Sequence, residues 1–415
     1  MPADSVSTAS GQPQRTPGKQ PLRGLPGWLV LMGILTAIGP LSIDMYLPSL
    51  PSIATALHSD TGAVQRTLSM FFIGLALGQL IYGPLADRYG RKPPLYFGLA
   101  LYAVASLLCA VAPDVVALQW GRFLQALGAC SGMVISRAVI RDRCDPVGSA
   151  RAMSLVMLVM GVAPILAPQL GVAVLGWFSW RAIFALLVGF GVICLACIHF
   201  GMEESLDAEH VRPLQLGHVL RTYGELLRDR HFLTFSLSGG LASSGMFAYI
   251  AGSPFVFIEL YHIPANLYGW VFGANAFGLI FAAQVNARLL TRFTPQQVLS
   301  GSISAVAIAG ALLLILTLVG IRGLPVLLPL LFVYVGCIGF TSPNSAALAL
   351  QHQGARAGAA SALMGTLQLG MATLSSSAIS LWAATSELPM ALVMAACGAC
   401  ALLMFRAALR TSAPA

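Results

Sequence analysis

Twelve stretches of this chain each run for about 20 residues with almost no charge, which is the length a helix needs to cross a hydrocarbon layer. They lie near 28–50, 65–85, 93–112, 116–138, 152–176 and 181–200, then near 232–258, 268–289, 296–319, 324–350, 358–382 and 388–408. Only 9% of the residues are charged and 57% are hydrophobic. A soluble domain carries roughly 25% charged residues, so a soluble enzyme is excluded. The net charge of +8 sits in a chain too apolar for disorder or nucleic-acid binding. Long apolar runs point to helices rather than to the alternating segments of a barrel. The expected class is an all-α membrane protein with twelve transmembrane helices.

Lys and Arg in the loops set the expected orientation. One side holds Arg15, Lys19 and Arg23, then Arg88, Arg91 and Lys92, then Arg137, Arg141, Arg143 and Arg151. It also holds Arg212, Arg221, Arg228 and Arg230, then Arg288, Arg292, Arg356, Arg406 and Arg410. The other side holds only Arg66, Arg181 and Arg322. Both termini are therefore expected in the cytoplasm. Residues 1–27 are Pro/Gly/Gln/Ser-rich and read as a disordered cytoplasmic tail without the apolar core of a signal peptide. The one long connection, 201–231, is charged. The chain reads as a six-helix bundle over 28–200, a cytoplasmic linker over 201–231, a second bundle over 232–410 and a short tail over 411–415. At an offset of 200, Phe72/Phe272, Ala76/Ala276, Gly78/Gly278 and Arg88/Arg288 coincide, and Lys92 meets Arg292. Two pseudo-symmetric halves around a midplane site form a transporter design.

Inside a span an ionisable residue is a functional candidate. Asp44 and Arg122 are the clear cases. At 1.5 Å per residue, Asp44 lies roughly 24 Å from the inner face and Arg122 roughly 10 Å below the outer one. The two depths are similar, so a shared polar pocket or a direct pair is open to them. A carboxyl that moves between an apolar pocket and a guanidinium changes its proton affinity. A fixed structural ion pair is the alternative reading.

The loop after the second span reads Gly83-Pro-Leu-Ala-Asp87-Arg88-Tyr-Gly90-Arg91-Lys92. Gly83 and Gly90 permit close helix approach and a tight turn. Asp87 can sit at the positive end of a helix, and Arg91 can pair with an acid, for which Asp142 is the candidate. On span four, Arg122, Gln125, Ala129, Gly132 and Ser136 share one small, polar face, as a cavity-lining face would. On span five, Gly161, Pro164, Pro168 and Gly171 recur at three- and four-residue steps, favouring close helix approach and a bend.

These segments resemble known ones. The loop matches the G-x-L-A-D-R-x-G-R-K signature of the major facilitator superfamily, and R-x-x-Q-x-x-G is intact on span four. Span five resembles the antiporter motif of drug-exporting members, with Ala163 and Val172 departing from its usual form. Gly39-Pro-Leu-Ser-Ile-Asp44-Met-Tyr46-Leu-Pro48 on span one is similar to the bicyclomycin- and chloramphenicol-resistance (Bcr/CflA) branch. So are Gly245-Met-Phe247-Ala-Tyr249 with Ser253-Pro254-Phe255 on span seven, Arg137–Asp142 and Trp180–Phe184. Within that branch the bicyclomycin-resistance type is nearest. The resemblance covers the chain from span one onward. It implies export of small drugs in exchange for protons across the bacterial inner membrane, with Asp44 and Arg122 in proton coupling. It also implies a gating role for Gly83, Asp87, Arg88, Gly90, Arg91, Lys92 and Asp142.

Tyr46, Phe247, Tyr249, Phe255 and Phe257 are candidates to wall an aromatic cavity. Gln125, Asn344 and Gln368 add uncharged polar groups. For Asn344 and Gln368, interhelical hydrogen bonds are an equally good account. Glu259 reads as a solvated rim charge. The pairs Cys194/Cys197 and Cys397/Cys400 lie in apolar helices and read as packing residues. No P-loop, catalytic set or metal-ligand cluster is visible, so no enzyme, cofactor or metal is expected. The expected partners are the lipid bilayer, protons and a small-molecule drug, and the expected state is a monomer. A metabolite exporter, for example of an amino acid, remains open on the same scaffold, and a nutrient symporter is less favoured. An intramembrane enzyme or sensor would need a catalytic set or a soluble domain.

Overall fold

A computed structural model describes residues 26–206, 216–381 and 386–412, and every element in them is helical. The expected tails fall almost wholly outside these residues. α1 already starts at Gly27, and the last helix continues to Ser412.

The first span is α1 (Gly27–Asp44), a 3-10 turn (Leu47–Ser49) and α2 (Leu50–Ala56). α3 (Thr61–Tyr89), α4 (Lys92–Ala110), α5 (Val115–Arg143), α6 (Pro146–Trp177) and α7 (Arg181–Gly201) complete the first half. The linker, expected only as a connection, contains a helix, α8 (Leu216–Arg228). The second half is α9 (Arg230–Pro254) with a π-helical turn (Phe255–Leu260), then α10 (Ala265–Leu289), α11 (Pro295–Val319), α12 (Leu324–Leu350), α13 (Ala357–Ser380) and α14 (Leu388–Ser412). Among the described residues, eleven spans are long and apolar enough to cross a membrane. The twelfth, α13, has 24 residues but falls short on apolarity, because it carries Ser, Thr and Gln along its length.

Acidic residues start several helices. Asp60, Asp114 and Asp145 each accept from a backbone N–H three residues on, at 2.7–2.8 Å. Each such cap is worth about 1 kcal/mol. With Asp229 before α9, four of the chain's 15 acids sit at helix starts.

Within the halves, small residues bring helices together. Gly74 and Gly78 of α3 lie on Phe123, Ala126 and Cys130 of α5, and Gly128 of α5 lies on the α4 backbone at Gly98 and Tyr102. The halves meet along two helix pairs, α3 with α13 and α6 with α10. Across the first pair, the Ser69 hydroxyl donates to Ser376 at 2.9 Å and Thr366 donates to the Ala76 carbonyl at 3.1 Å. Phe72 and Phe247 meet edge-on with centroids 4.9 Å apart. Large apolar side chains such as Phe97, Ile193, Leu318 and Leu403 are exposed on the outer surface, as a lipid-facing surface requires.

Two spans are interrupted, and proline explains both. Pro48 cannot donate to the Asp44 carbonyl, nor Pro51 to Leu47, so α1 stops and restarts. Pro254 cannot donate to Ile250, and α9 passes into the π turn there. The Ser253 hydroxyl covers the freed Ile250 carbonyl at 3.4 Å. These are spans one and seven, corresponding positions of the two halves.

Candidate functional site

Asp44 is the last residue of α1 and is 4% exposed. It makes no side-chain hydrogen bond or ion pair with any described residue. The 3-10 turn that follows it packs against α9 and α10 of the other half. Tyr249 and Tyr268 lie on those two helices.

Arg122 is fully buried in the first half. Its Nη1 donates to the Ser42 carbonyl at 3.0 Å and to Gln125 Oε1 at 2.6 Å. The Ser42 carbonyl is free because the helical ladder ends with the Met45 N–H on Leu41. Gln125 is fixed in turn by donating to the Ser106 hydroxyl at 2.8 Å. The remaining guanidinium atoms, Nε and Nη2, find no hydrogen-bond partner. They lie among aromatic faces, with centroids at 4.1 Å for Phe71 and 4.6 Å for Tyr46. A desolvated cation over such faces gains about 2 kcal/mol. The direct Asp44–Arg122 pair that the sequence left open is therefore absent. The break at Asp44 exposes a carbonyl that captures the arginine, and the carboxyl is left at the seam. Arg122 therefore holds the backbone two residues before Asp44 and not its carboxyl.

The second cluster lies where the second and third spans meet. Arg91 Nε donates to Asp142 at 2.8 Å and Nη1 to Asp87 at 2.6 Å, so the expected acid for Arg91 is found. Burial would lower the Arg91 pKa, but the two carboxylates outweigh it and raise it. Gly90 has φ +88°, a conformation that favours glycine, and the Glu204 carboxylate fills the space a side chain would take. Around Gly83, by contrast, there is open space, so it is not a close-approach glycine. Asp87 pairs with Arg91 instead of capping a neighbouring helix. Arg88 is exposed, and Lys92 lies 5.9 Å from the Tyr96 ring centroid.

Glu204, which the sequence does not single out, ties this cluster to the segment after α7. Its carboxylate accepts the backbone N–H groups of Arg91, Lys92, Ser205 and Leu206 at 2.8–3.1 Å. Partial burial would raise its pKa, yet these four donors hold it below the ordinary carboxylate value. A depressed pKa stabilises the fold above the unfolded value of 4.5 and loses that contribution as pH falls below it. After solvent screening the contribution is about 1 kcal/mol. Glu204→Ala is expected to lower thermal stability in detergent at pH 7, and the difference from the parent protein should vanish by strongly acid pH. A gap that persists unchanged at acid pH would refute the clamp.

The small-residue face of α6 lies at the seam. A side chain at Gly171 would strike the Met45 carbonyl beside the break, and one at Gly161 would meet Ile280 of α10 at 2.9 Å. Pro164 and Pro168 lie on the same helix, Pro168 buried. The span-four face is packed rather than cavity-lining: Arg122, Gln125, Ala129 and Ser136 are fully buried, and Gly132 abuts the Leu35 carbonyl of α1.

The aromatic candidates separate into three places. Tyr46 is buried in the first half, bonded to Thr67 at 2.8 Å. Tyr249 and Phe257 are buried in the second half, Tyr249 stacked on Phe272 and Phe257 against Tyr268. Phe247 and Phe255 reach the seam: Phe247 meets Phe72, and Phe255 lines a small void with Gln65, Ile379 and Met390. Asn344 bridges helices by donating to Asn286 Oδ1 at 2.7 Å, the interhelical alternative. Gln368 is half-buried and passes close to Gly240. The void at Phe255 and a second one lined by Arg322 and Glu387 each have room for about one water. Among the described residues no group of three His, Cys, Asp or Glu side chains converges as a metal site would require. Glu259 lies in the π turn, and its carboxyl bonds to Thr61 of α3.

Asn275 is a second residue that the sequence does not single out. It donates to the Tyr249 hydroxyl at 3.0 Å and to the Val271 carbonyl at 3.1 Å. An amide inside a span was the available signal. For Glu204 no signal existed, because one acid in a charged linker resembles any other.

The family model of the Major Facilitator Superfamily matches residues 32–376. An uncharacterized MFS-type transporter, YdgK of Bacillus subtilis, is 36% identical over 367 residues, covering 88% of this chain and 90% of that protein. A bicyclomycin resistance protein homolog of Haemophilus influenzae is 29% identical over 370 residues, covering 89% and 93%. The multidrug resistance protein MdtL of Klebsiella pneumoniae is 30% identical over 342 residues, covering 81% and 83%. Among solved structures, a bacterial homolog of the human lysosomal transporter Spinster, inward-facing and occupied, superposes with TM-score 0.70 at 15% identity, covering 94% of this chain and 98% of that one. The nucleoside transporter NupG gives 0.71 at 12%, covering 93% and 100%. At these identities the likeness is one of fold.

Proposed function

The chain belongs to the Major Facilitator Superfamily, and from that premise we propose that it is a proton-coupled multidrug exporter of the bacterial inner membrane. It is a membrane transporter, and the relatives named for bicyclomycin and multidrug resistance support an efflux role. In this reading it works as a monomer with both termini cytoplasmic. It carries bicyclomycin- or chloramphenicol-like drugs outward, exchanges them for protons moving in, and uses no cofactor.

The observation that carries the reading is the pair of broken spans with Asp44 at one break. Interrupted helices in corresponding positions of two halves point to the binding site of a secondary transporter. Asp44 lies there buried and without a partner among the described residues, just ahead of a turn that packs against the opposite half. A carboxyl so placed can take a proton from one side and release it to the other as the halves rock. Drug and proton must then favour different states, since a ligand with equal affinity for both shifts nothing.

The test is growth of a host lacking its own exporters, with and without this protein, on bicyclomycin, chloramphenicol and sulfonamides. It is combined with drug uptake into inverted membrane vesicles under an imposed pH gradient. Resistance with gradient-driven uptake is expected. Gradient-driven movement of an amino acid with no drug movement would replace the drug reading by a metabolite exporter. Movement in the opposite direction would make the protein an importer.

A further inference from the structure

We propose that Tyr249 and Asn275 of the second half form the partner that reads the protonation state of Asp44, so that the proton is sensed across the seam rather than within the first half. This rests on the exporter reading above.

The argument is one of unmatched hydrogen-bonding groups. The Tyr249 hydroxyl accepts a hydrogen bond from Asn275 Nδ2 at 3.0 Å. Its own proton has no acceptor among the described residues. Asn275 spends its second amide proton on the Val271 carbonyl, and its Oδ1 is buried with nothing to accept. The pair therefore offers one free donor and one free acceptor in a buried layer. Tyr249 is 1% exposed and Asn275 3%. A layer left this way is costly unless something fills it.

Asp44 supplies the complement to both groups. It too has no hydrogen bond among the described residues, and the turn that follows it packs against α9 and α10, the helices that carry the pair. The ionised carboxylate can accept from the Tyr249 O–H, a charge-assisted bond of the stronger kind. The protonated carboxyl can instead donate its O–H to Asn275 Oδ1. Each protonation state thus has its own atom on the same two side chains. Gain or loss of the proton changes which bond joins the halves at the two breaks.

Of the elements packed against α1 and its turn, α5 brings Arg122, whose Nη1 is held by Ser42 and Gln125 while Nε and Nη2 lie among aromatic faces. α6 carries Arg151 near its start and, beside Gly269 of α10, the buried and unpaired Nε2 of Gln169. α7 carries Arg181 and His199 at its ends, with Cys194 and Cys197 between. α9 brings Tyr249 itself. α10 brings Tyr268, whose hydroxyl is paired with Ser253 at 3.0 Å. Tyr249 is held rigid by its stack on Phe272, with centroids 5.7 Å apart.

The experiment measures protons released when bicyclomycin or chloramphenicol is added to the detergent-purified protein in weak buffer, across a pH series. Tyr249→Phe keeps the ring and deletes the donor to the ionised form. Its release midpoint is expected to move up by about one pH unit, the equivalent of a charge-assisted hydrogen bond. Asn275→Ala deletes the acceptor for the protonated form, and its midpoint is expected to move down. Drug affinity measured well above the midpoint, where Asp44 is ionised before drug binds, should stay within about twofold of the parent protein in both, the mark of positioning residues that do not grip drug. Unmoved midpoints in both variants, or shifts in the same direction, overturn the inference while Asp44→Asn still abolishes release. A weakened drug affinity with an unmoved midpoint makes Tyr249 a cavity wall and overturns it as well. If the parent protein releases no proton with either drug, the exporter reading itself falls and takes this one with it.

Discussion

Vesicles carrying Asp44→Asn are expected to lose gradient-driven accumulation while drug-for-drug exchange survives. One pH unit corresponds to about 1.36 kcal/mol per proton, so an exchanger moving one proton holds about a tenfold drug gradient for each unit imposed. In the substituted protein that ratio should fall to about one, because an amide cannot carry a proton between the two sides. The side chain is nearly the same size and makes no bond that would be lost. A stability measurement should therefore show little change, which separates uncoupling from misfolding. Undiminished accumulation in this variant would remove Asp44 from proton coupling.

The other large effect is expected at Arg91, and it is one of stability. Its guanidinium is 3% exposed and joins two carboxylates from different helices, Asp87 and Asp142. Removing one partner of a buried ion pair costs about 3–5 kcal/mol, since the charge left behind is stranded. Asp87 is 46% exposed, which allows water to offset part of this, so we expect about 2–4 kcal/mol for Arg91→Ala. Arg91→Lys should recover little. The three contacts use Nε, Nη1 and Nη2 in the planar fork of arginine, and an ammonium presents no such fork. The check is thermal unfolding in detergent of both variants beside the parent protein. A lysine variant as stable as the parent would show that the site needs only a positive charge.

Much of this molecule is legible in the chain because a bilayer punishes unpaired polarity and unscreened charge so severely. Eleven spans follow from apolar length, and the twelfth, α13, from its length and its lack of charge. Asp44 and Arg122 stand out because they are charged where almost nothing else is. The Arg91–Asp142 pair follows from a loop in which glycine, acid and base fall at spacings a tight turn can use. What the chain hides is the direction a side chain takes once a helix breaks. Pro48 was visible, yet its consequence requires knowing that the freed Ser42 carbonyl would capture Arg122 before Asp44 could. The same limit explains the span-four face. Small polar residues suit a cavity wall and a tight helix contact equally well, and only the position of α1 against Gly132 decides between them. Glu204 and α8 lay in a connection whose arginines report only its side of the membrane, which says nothing of where a single acid or a short helix falls.

α13 falls short of the apolarity of a membrane span, yet it sits between α3 and α9 in the middle of the molecule. Its hydroxyls are satisfied by groups that come from elsewhere: Thr366 by α3, Ser376 by Ser69, and Ser375 by Ser244 of α9. Alone, the segment would leave Ser375 and Ser376 without these partners, while Thr366 would keep its bond to Ala362 of its own helix. The seam between the halves thus also completes the polar bonding of this span.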